Sequence, residues 1–577
     1  MYGPKTLASQ QMHAEKYRGE GEDFREAMNR VASALKDGDD HYKAFRDILL
    51  EMRFLPAGRI QAAMGSSKEI TPYNCFVSGT IADSFVEGDG NIMQRAHEAA
   101  ATMRRGGGIG YDFSTLRPRG DMIRKLGSKS SGPMTFMCIY DSVCGAVQSA
   151  GHRRGAQMGV LRVDHPDIEE FIRAKQNSTE LLNFNISIAI TDKFMHALQS
   201  GEKFALKFNG ETYRMIDPVP LWEQIMRSTW DWAEPGVLFI DTINRMNNLR
   251  YCETITATNP CGEQPLPPFG ACLLGSFNLV KYLSRYDEND FYHFNWDRFS
   301  EDIYTVVRAM DNVVDRAIYP LPQQRQEALN KRRMGLGVTG LANAIEACGW
   351  SYGSEEFLRM EKEILWRLTH SSYLSSVELA KEKGAFPLFK AEYCESEFLR
   401  ETIEDSVVHD IGRYGIRNSH LTSIAPTGTI SFCADNVSSG IEPVFSYATD
   451  RRVRTFEGEK VERVFDYGYK ELGIHGKTAD KVTAEEHVKV LTVAASLVDS
   501  AVSKTCNVSP DMPWKDFKKI YEDAWRGGCK GCTTFNAGGK RFGILEAVGA
   551  NAHGGDGGDE QGGAACYVSA DGTRSCE

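Results

Sequence analysis

The sequence predicts a mixed α/β fold, and three observations carry that expectation. Apolar residues recur at helical spacing over 302–317 and 484–498, short β-type runs sit between Gly-rich turns, and no internal repeat links them. At 577 residues the chain has room for two to four domains, or for one large barrel with appendages.

Taken in order, residues 1 to about 60 read as a short helical N-terminal region. There "EDFREAMNRVASALKDG" places Phe24, Met28, Val31 and Leu35 on one face before Gly38 stops the helix. "FLPAGRI" opens a main body covering 61–545. Its strand candidates are "GIGYDFS" at 108–114, "NFNISIA" at 183–189 with alternating polarity, and "HLTSIA" at 420–425. The "GGGIG" run at 106–110 lacks dinucleotide-fingerprint spacing and reads as a tight turn. In "HPDIEEFIRAK", Pro166 suits a first helical turn, with Ile168, Phe171 and Ile172 facing inward. Ile303, Val306, Val307, Met310, Val313 and Val314 mark a second helix. Thr483 and Glu486 form a capping box ahead of a third. Residues 546–577 are dense in Gly and small polar residues, the composition of a flexible tail.

Net charge of −11 and a pI near 5.7 argue against a nucleic-acid polymer as partner. Local basic clusters, Arg104-Arg105, Arg153-Arg154 and Lys331-Arg332-Arg333, still suit a small phosphorylated ligand such as a nucleotide. The N-terminal stretch lacks the apolar core of a signal peptide, and no apolar run reaches about 18 residues. No membrane class is expected, and a reducing, cytoplasmic location is. In that setting 14 cysteines point to reactive pairing before structural disulfides.

Three thiols stand out: Cys75 in "YNCFVSGT", Cys261 in "NPCGEQPL" and Cys272 in "GACLLGSFNL". Asn259 and Glu263 bracket Cys261, so one loop offers an amide, a thiol and a carboxylate. The carboxylate can accept a proton from a substrate hydroxyl while the amide holds an oxygen. The thiol between them can serve as nucleophile, metal ligand, disulfide partner or hydrogen-atom donor. Cys566 and Cys576 end the Gly-rich tail, where a tethered dithiol can carry electrons into a site too enclosed for a reductase. Cys529 and Cys532 form a C-x-x-C with no second close pair, so a structural or unpaired role is expected and no metal site is assigned.

Several blocks in consistent order from about 55 to 545 resemble the catalytic subunit of ribonucleotide reductase, most closely its class II, adenosylcobalamin-dependent branch. They are "LPAGRI", "NCFVSGTIADS", "RRGGGIGYDFSTLRPRGD", "HRRGAQMGVLRVDHPDIEEFI", "NPCGEQPL", "KRRMGLGVTGLAN", "SIAPTGTIS" and "GCKGCTTFN". The resemblance implies a ten-stranded α/β barrel with the radical cysteine on an internal finger loop. It assigns Cys261 as the thiyl radical that abstracts the ribose 3′-hydrogen, Glu263 as general base and Asn259 as anchor. Cys75 and Cys272 would supply two reducing equivalents and close into a disulfide, which Cys566 and Cys576 would reopen.

The resemblance also places substrate phosphate against Pro426, Thr427, Gly428, Thr429 and Ser431. An effector, a deoxynucleotide or ATP, would meet Asp83 and the loops 119–131 and 151–158, with Arg153, Arg154 and Gln157 relaying its identity. A ribonucleotide substrate, thioredoxin or glutaredoxin as reductant, and a homodimer are the implied partners. The chain starts near the catalytic core, so the ATP cone of other members is not expected. Asn74 stands before Cys75 where the family commonly has a small residue. Thr533, Thr534 and Phe535 occupy the place of the adjacent tyrosines that mark class I chains. The alternative, a class I large subunit with a separate metal-containing radical subunit, is therefore second.

Overall fold

The computed structural model describes residues 2–149, 153–154, 156–176, 181–285, 287, 291–455, 458–536, 538–540, 546–547, 566–568 and 574–576. Of these, the side chains of 148–149, 153–154, 451–455, 458–462, 546–547, 566–568 and 574–576 are excepted. Three helices lead the chain: α1 (Leu7–Tyr17), α2 (Phe24–Leu35) and α3 (Asp39–Leu50). The α2 helix begins with a capping box between Asp23 and Glu26, a device that contributes about 1 kcal/mol. It buries Met28, Val31 and Leu35 as the spacing requires.

Ten strands form the main sheet: β1 (Phe54–Pro56), β2 (Cys75–Val77), β3 (Gly108–Asp112), β4 (Gln157–Arg162), β5 (Phe184–Ile190), β6 (Gly236–Phe239), β7 (Ala271–Asn278), β8 (Met334–Thr339), β9 (Thr505–Val508) and β10 (Gly531–Asn536). Their order is β1-β7-β2-β3-β4-β5-β6-β10-β9, with β8 also paired to β7. Strands β2 to β6 run parallel, as do β7 with β8 and β9 with β10. The five-stranded group meets the two pairs antiparallel, at β2/β7 and at β6/β10.

The expected strand at 420–425 is not a full strand. It makes parallel bridges from Thr422 to Leu336 of β8 and from Ile424 to Val502, just ahead of β9. Its remaining main-chain capacity goes elsewhere: the Asp499 carboxylate accepts from the Leu421 and Thr422 amides at 2.7 and 3.0 Å.

Helices cover the outer side of the sheet. Here α4 (Ile168–Arg173) buries Ile168, Phe171 and Ile172, and α5 (Trp296–Arg316) packs on the long α6 (Glu355–Lys383). The six-residue α7 (Gly428–Cys433) follows the segment at 420–425. Next come α8 (Ala484–Leu497), with its capping box from Thr483 to Glu486, and α9 (Trp514–Arg526). The apolar interior is divided. One large cluster lies between sheet and helices, while a second joins Cys75, Met158, Val160, Ala189, Leu266 and Cys272 on the other face of the strands.

That second layer surrounds a hairpin, Ala257–Thr258 against Pro265–Leu266, with residues 259–264 as its tip. Sheet and hairpin fit because β3 lacks side chains where they touch. A Cβ on Gly110 would lie 1.8 Å from the Thr258 carbonyl oxygen, and one on Gly108 would press on Pro260 at 3.0 Å. The expected tight turn in "GGGIG" is confined to its start, Gly106, at φ 94°. From Gly108 on the run is strand, kept bare for the finger. All seven residues of β5 are buried, because its polar positions face the enclosed hairpin instead of water.

Candidate active site

The finger tip is held by its own residues and by the strands around it. The Asn259 side-chain oxygen accepts from the Gln264 amide at 2.9 Å, and the Gly262 amide donates to the Asn259 carbonyl at 3.1 Å. Gly262 has φ 83°, a backbone conformation costly for any side chain with a Cβ. From β5, Asn185 Nδ2 donates to the Pro260 carbonyl at 2.9 Å. From the opposite side, Ser423 Oγ and the Ala501 amide both donate to the Glu263 carbonyl at 3.0 Å.

These restraints bring the thiols and the carboxylate together. Asn259 Nδ2 donates to Cys75 Sγ at 3.2 Å, and Cys75 Sγ approaches Glu263 Oε1 at 3.8 Å. Cys272 of β7 is the direct antiparallel partner of Cys75 on β2. Facing residues of such a ladder have Cα atoms about 4.5–5.5 Å apart, inside the range that a disulfide bridges. Both are buried, and the twelve cysteines whose side chains are described are thiols.

Burial also sets the protonation states. Removal from water raises the Glu263 carboxyl from 4.5 to about 7, eased by the Asn259 amide and the Cys75 thiol beside it. Burial pushes the Cys75 thiol well above its ordinary value, and Glu263, Cys272 and Cys261 add to the rise. Cys272 is pushed up by burial too, while the Arg333 guanidinium acts to lower it. Glu263 Oε2 is buried and has no hydrogen-bond partner among the described residues. An unfilled acceptor of this kind can take a hydrogen bond from a bound hydroxyl. Asn74 Oδ1, next to Cys75, is likewise buried and without a partner among them. Sequence reasoning noted Asn74 only as a departure from the family.

Cys261 itself is half-buried. The thiol borders a cleft with Met158, Ser187, Val237, Leu238, the 502–505 segment, Gly531, Cys532 and Thr533. Thr534 is committed to the Tyr521 hydroxyl at 2.8 Å, and Phe535 is buried.

The turn at 426–431 follows Ser423 by three residues, so it is tied to the same finger. Thr427 has φ 58°, and its hydroxyl is used internally, bonding Thr339 Oγ1 at 2.9 Å and accepting the Gly440 amide at 2.7 Å. Ser431 Oγ donates to the Gly428 carbonyl at 3.0 Å. Asp83 accepts from the Arg117 amide and Nε at 3.1 and 2.8 Å. Gln157 begins β4 and is fully buried, bonding the Tyr111 hydroxyl at 2.8 Å and the Tyr140 carbonyl at 3.2 Å. Of Arg153 and Arg154 only the backbone is described, paired with Ser149 and Gln148; their side chains lie outside the described residues. So do those of Cys566 and Cys576, whose backbones face one another in a short antiparallel pair. The flexibility expected of the rest of 546–577 falls outside the described residues. Cys529 and Cys532 are buried near Cys506, and among the described residues no cluster of ligand side chains could hold a metal ion.

Residues 73–535 match the family model described as the ribonucleotide reductase barrel domain. The chain belongs to the ribonucleotide reductase family. It is 34% identical to a vitamin B12-dependent ribonucleoside-diphosphate reductase of Mycobacterium tuberculosis, over 91% of this chain and 77% of that one. It is 32% identical to a protein of the same name from Thermoplasma acidophilum, over 91% of this chain and 69% of that one.

Proposed function

We propose that this chain is the class II catalytic subunit that reduces ribonucleoside diphosphates to 2′-deoxyribonucleotides, with adenosylcobalamin as its cofactor. The observation that carries the reading is the contact of Asn259 and Glu263, which bracket Cys261, with Cys75, itself facing Cys272 across the ladder. In this reading the sheet closes into the family's barrel through the segment 420–425, whose two bridges span β8 and the approach to β9. The 1–60 helices precede the barrel, and 546–577 form the tail.

Cofactor fit rests on the cleft at Cys261. Gly531, Thr533, Ser187, Val237 and Leu238 line it beside Cys261, together with Met158 and Lys504. Those residues would hold the group. When bound, adenosylcobalamin supplies an unpaired electron to that cleft. Thr533 and Thr534 cannot relay a radical from another subunit, which disfavours the class I alternative.

The residues divide the chemistry. Cys261, as a thiyl radical, takes the 3′-hydrogen of the ribose, and Glu263 accepts the 3′-hydroxyl proton at the open Oε2. The 2′-hydroxyl leaves as water. Cys75 and Cys272 deliver two electrons and two protons and join as a disulfide, and Cys261 returns the 3′-hydrogen. Strands β3 and β5 pack against the finger and limit the access of water to the radical. Main-chain amides of the 426–431 turn would meet substrate phosphate. Asp83, through Arg117, and the loops carrying Arg153, Arg154 and Gln157 would sense an effector nucleotide, with a homodimer and thioredoxin or glutaredoxin as partners. No helix among the described residues is long and apolar enough to cross a membrane, and a cytoplasmic site of action is proposed.

The test is the purified chain with adenosylcobalamin, dithiothreitol and each ribonucleotide in turn. Deoxyribonucleotide formation without a second protein supports the reading, as does its loss in Cys261→Ser with nucleotide affinity retained. Absolute dependence on a second protein defeats it.

A further inference from the structure

A buried lysine ties together three parts of the site that come from distant stretches of chain. Lys530 immediately precedes β10, and its ammonium donates to the carbonyls of Val498, Asp499 and Ser500, at 3.4 Å and 2.7 Å for the first two. These carbonyls belong to the extended segment that follows α8, whose C-terminal cap is Val498. Asp499 is its countercharge.

The segment so held reaches in two directions. Toward the phosphate turn, the Asp499 carboxylate accepts the Leu421 and Thr422 amides, the Ser500 amide donates to the Thr422 carbonyl at 3.0 Å, and the Ile424 amide donates to Ala501 at 3.1 Å. Toward the finger, the Ala501 amide donates to the Glu263 carbonyl, an acceptor it shares with Ser423 Oγ. On its own strand Lys530 is followed by Gly531, Cys532 and Thr533, which line the cleft at Cys261.

We propose that Lys530 is a positioning residue for ribonucleotide reduction: by clamping 498–500 it fixes the Glu263 main chain relative to the 426–431 turn and to the cleft wall. The inference rests on the functional reading above. Lys530 touches none of the reacting groups; it acts through Ala501 and Ser423. Without it three carbonyls lose a shared donor deep inside the protein, and water or main-chain movement must satisfy them. Glu263 then becomes less enclosed and less well aimed.

The variant is Lys530→Met, close in length and without charge. Turnover should fall by about 10- to 100-fold, the scale of a small misplacement of a catalytic group. KM for the nucleotide should rise, because the turn shifts with the clamp. The acid limb of the kcat profile should move about one pH unit lower as water reaches Glu263. A lysine that merely supports the fold would lower the melting temperature but leave the acid limb and the activity per folded molecule in place, and that result overturns the proposal.

Should Lys530→Met not fold, Ser423→Ala removes one of the two donors to the same carbonyl without burying an unpaired charge. It should shift the acid limb in the same direction by less, and an unmoved limb in that variant equally overturns the proposal. A wild-type chain that forms no deoxyribonucleotide would instead sink the functional reading itself, and is seen before any variant is made.

Discussion

Glu263→Gln separates the work of the base from the cost of burying it. The rise of the Glu263 carboxyl from 4.5 to about 7 corresponds to about 3 kcal/mol at 1.36 kcal/mol per pH unit. A carboxyl whose folded value lies above its unfolded one contributes stability that is full below pH 4.5 and is lost as pH rises through 7. At pH 8.5 wild type therefore carries nearly the whole cost as a buried carboxylate. Glutamine is neutral at every pH and avoids it, but its Oε1 accepts the Cys75 thiol more weakly than a carboxylate does, by about 1 kcal/mol. The variant should be about 2 kcal/mol more stable than wild type at pH 8.5 and no more stable at pH 5, with no turnover at either. Urea unfolding of both proteins at the two pH values measures the gap. An equal gap at both, or a variant that still turns over, would refute the assignment of Glu263 as a base kept poised by burial.

Three further outcomes are expected. Gly110→Ala places a Cβ 1.8 Å from the Thr258 oxygen, so the finger must move; stability should drop by about 1–3 kcal/mol and turnover more steeply, read by unfolding and activity on one preparation. Thr533→Tyr should fill the cleft beside Cys261 and weaken adenosylcobalamin binding at least tenfold, followed by the absorbance of the bound cofactor, with nucleotide binding unchanged. Replacing Cys566 and Cys576 together with Ala should abolish thioredoxin-driven turnover and preserve a slower rate with dithiothreitol, measured side by side.

The helices were legible because each satisfies a local rule. The capping box at Thr483 and Glu486 is present as the sequence implies, and the 302–317 periodicity lies within α5, which starts at Trp296. Strands were less so, since their register depends on partners hundreds of residues away. The run at 183–189 alternates in sequence, which ordinarily signals one wet face. Here Asn185 holds the Pro260 carbonyl and Ser187 borders the Cys261 cleft, so the polar face looks onto an enclosed loop. The stretch at 420–425 has strand composition, yet a carboxylate from Asp499 takes two of its amides. No local pattern announces that.

For the site, the spacing of Asn259, Cys261 and Glu263 announced itself, whereas its supports did not. Ser423, Ala501 and Lys530 are ordinary residues in sequence and become significant only through contacts across the sheet. The same burial bears on the division among the sulfurs that the proposed function assigns. Cys75 and Cys272, pushed well up by their surroundings, remain protonated and are poor nucleophiles at neutral pH. That suits hydrogen donors that must not exchange with stray disulfides. It also means the pair, once oxidised, depends on a thiolate brought from outside, and on a leaving sulfur that can bear charge. Glu263 acts to raise both, but on Cys272 the Arg333 guanidinium opposes it, whereas for Cys75 Glu263 is the leading charge. In the proposed reading, attack on Cys75 with Cys272 departing is the direction that Arg333 would favour. A tail ending in two cysteines on a Gly-rich tether has the chemistry to make that attack.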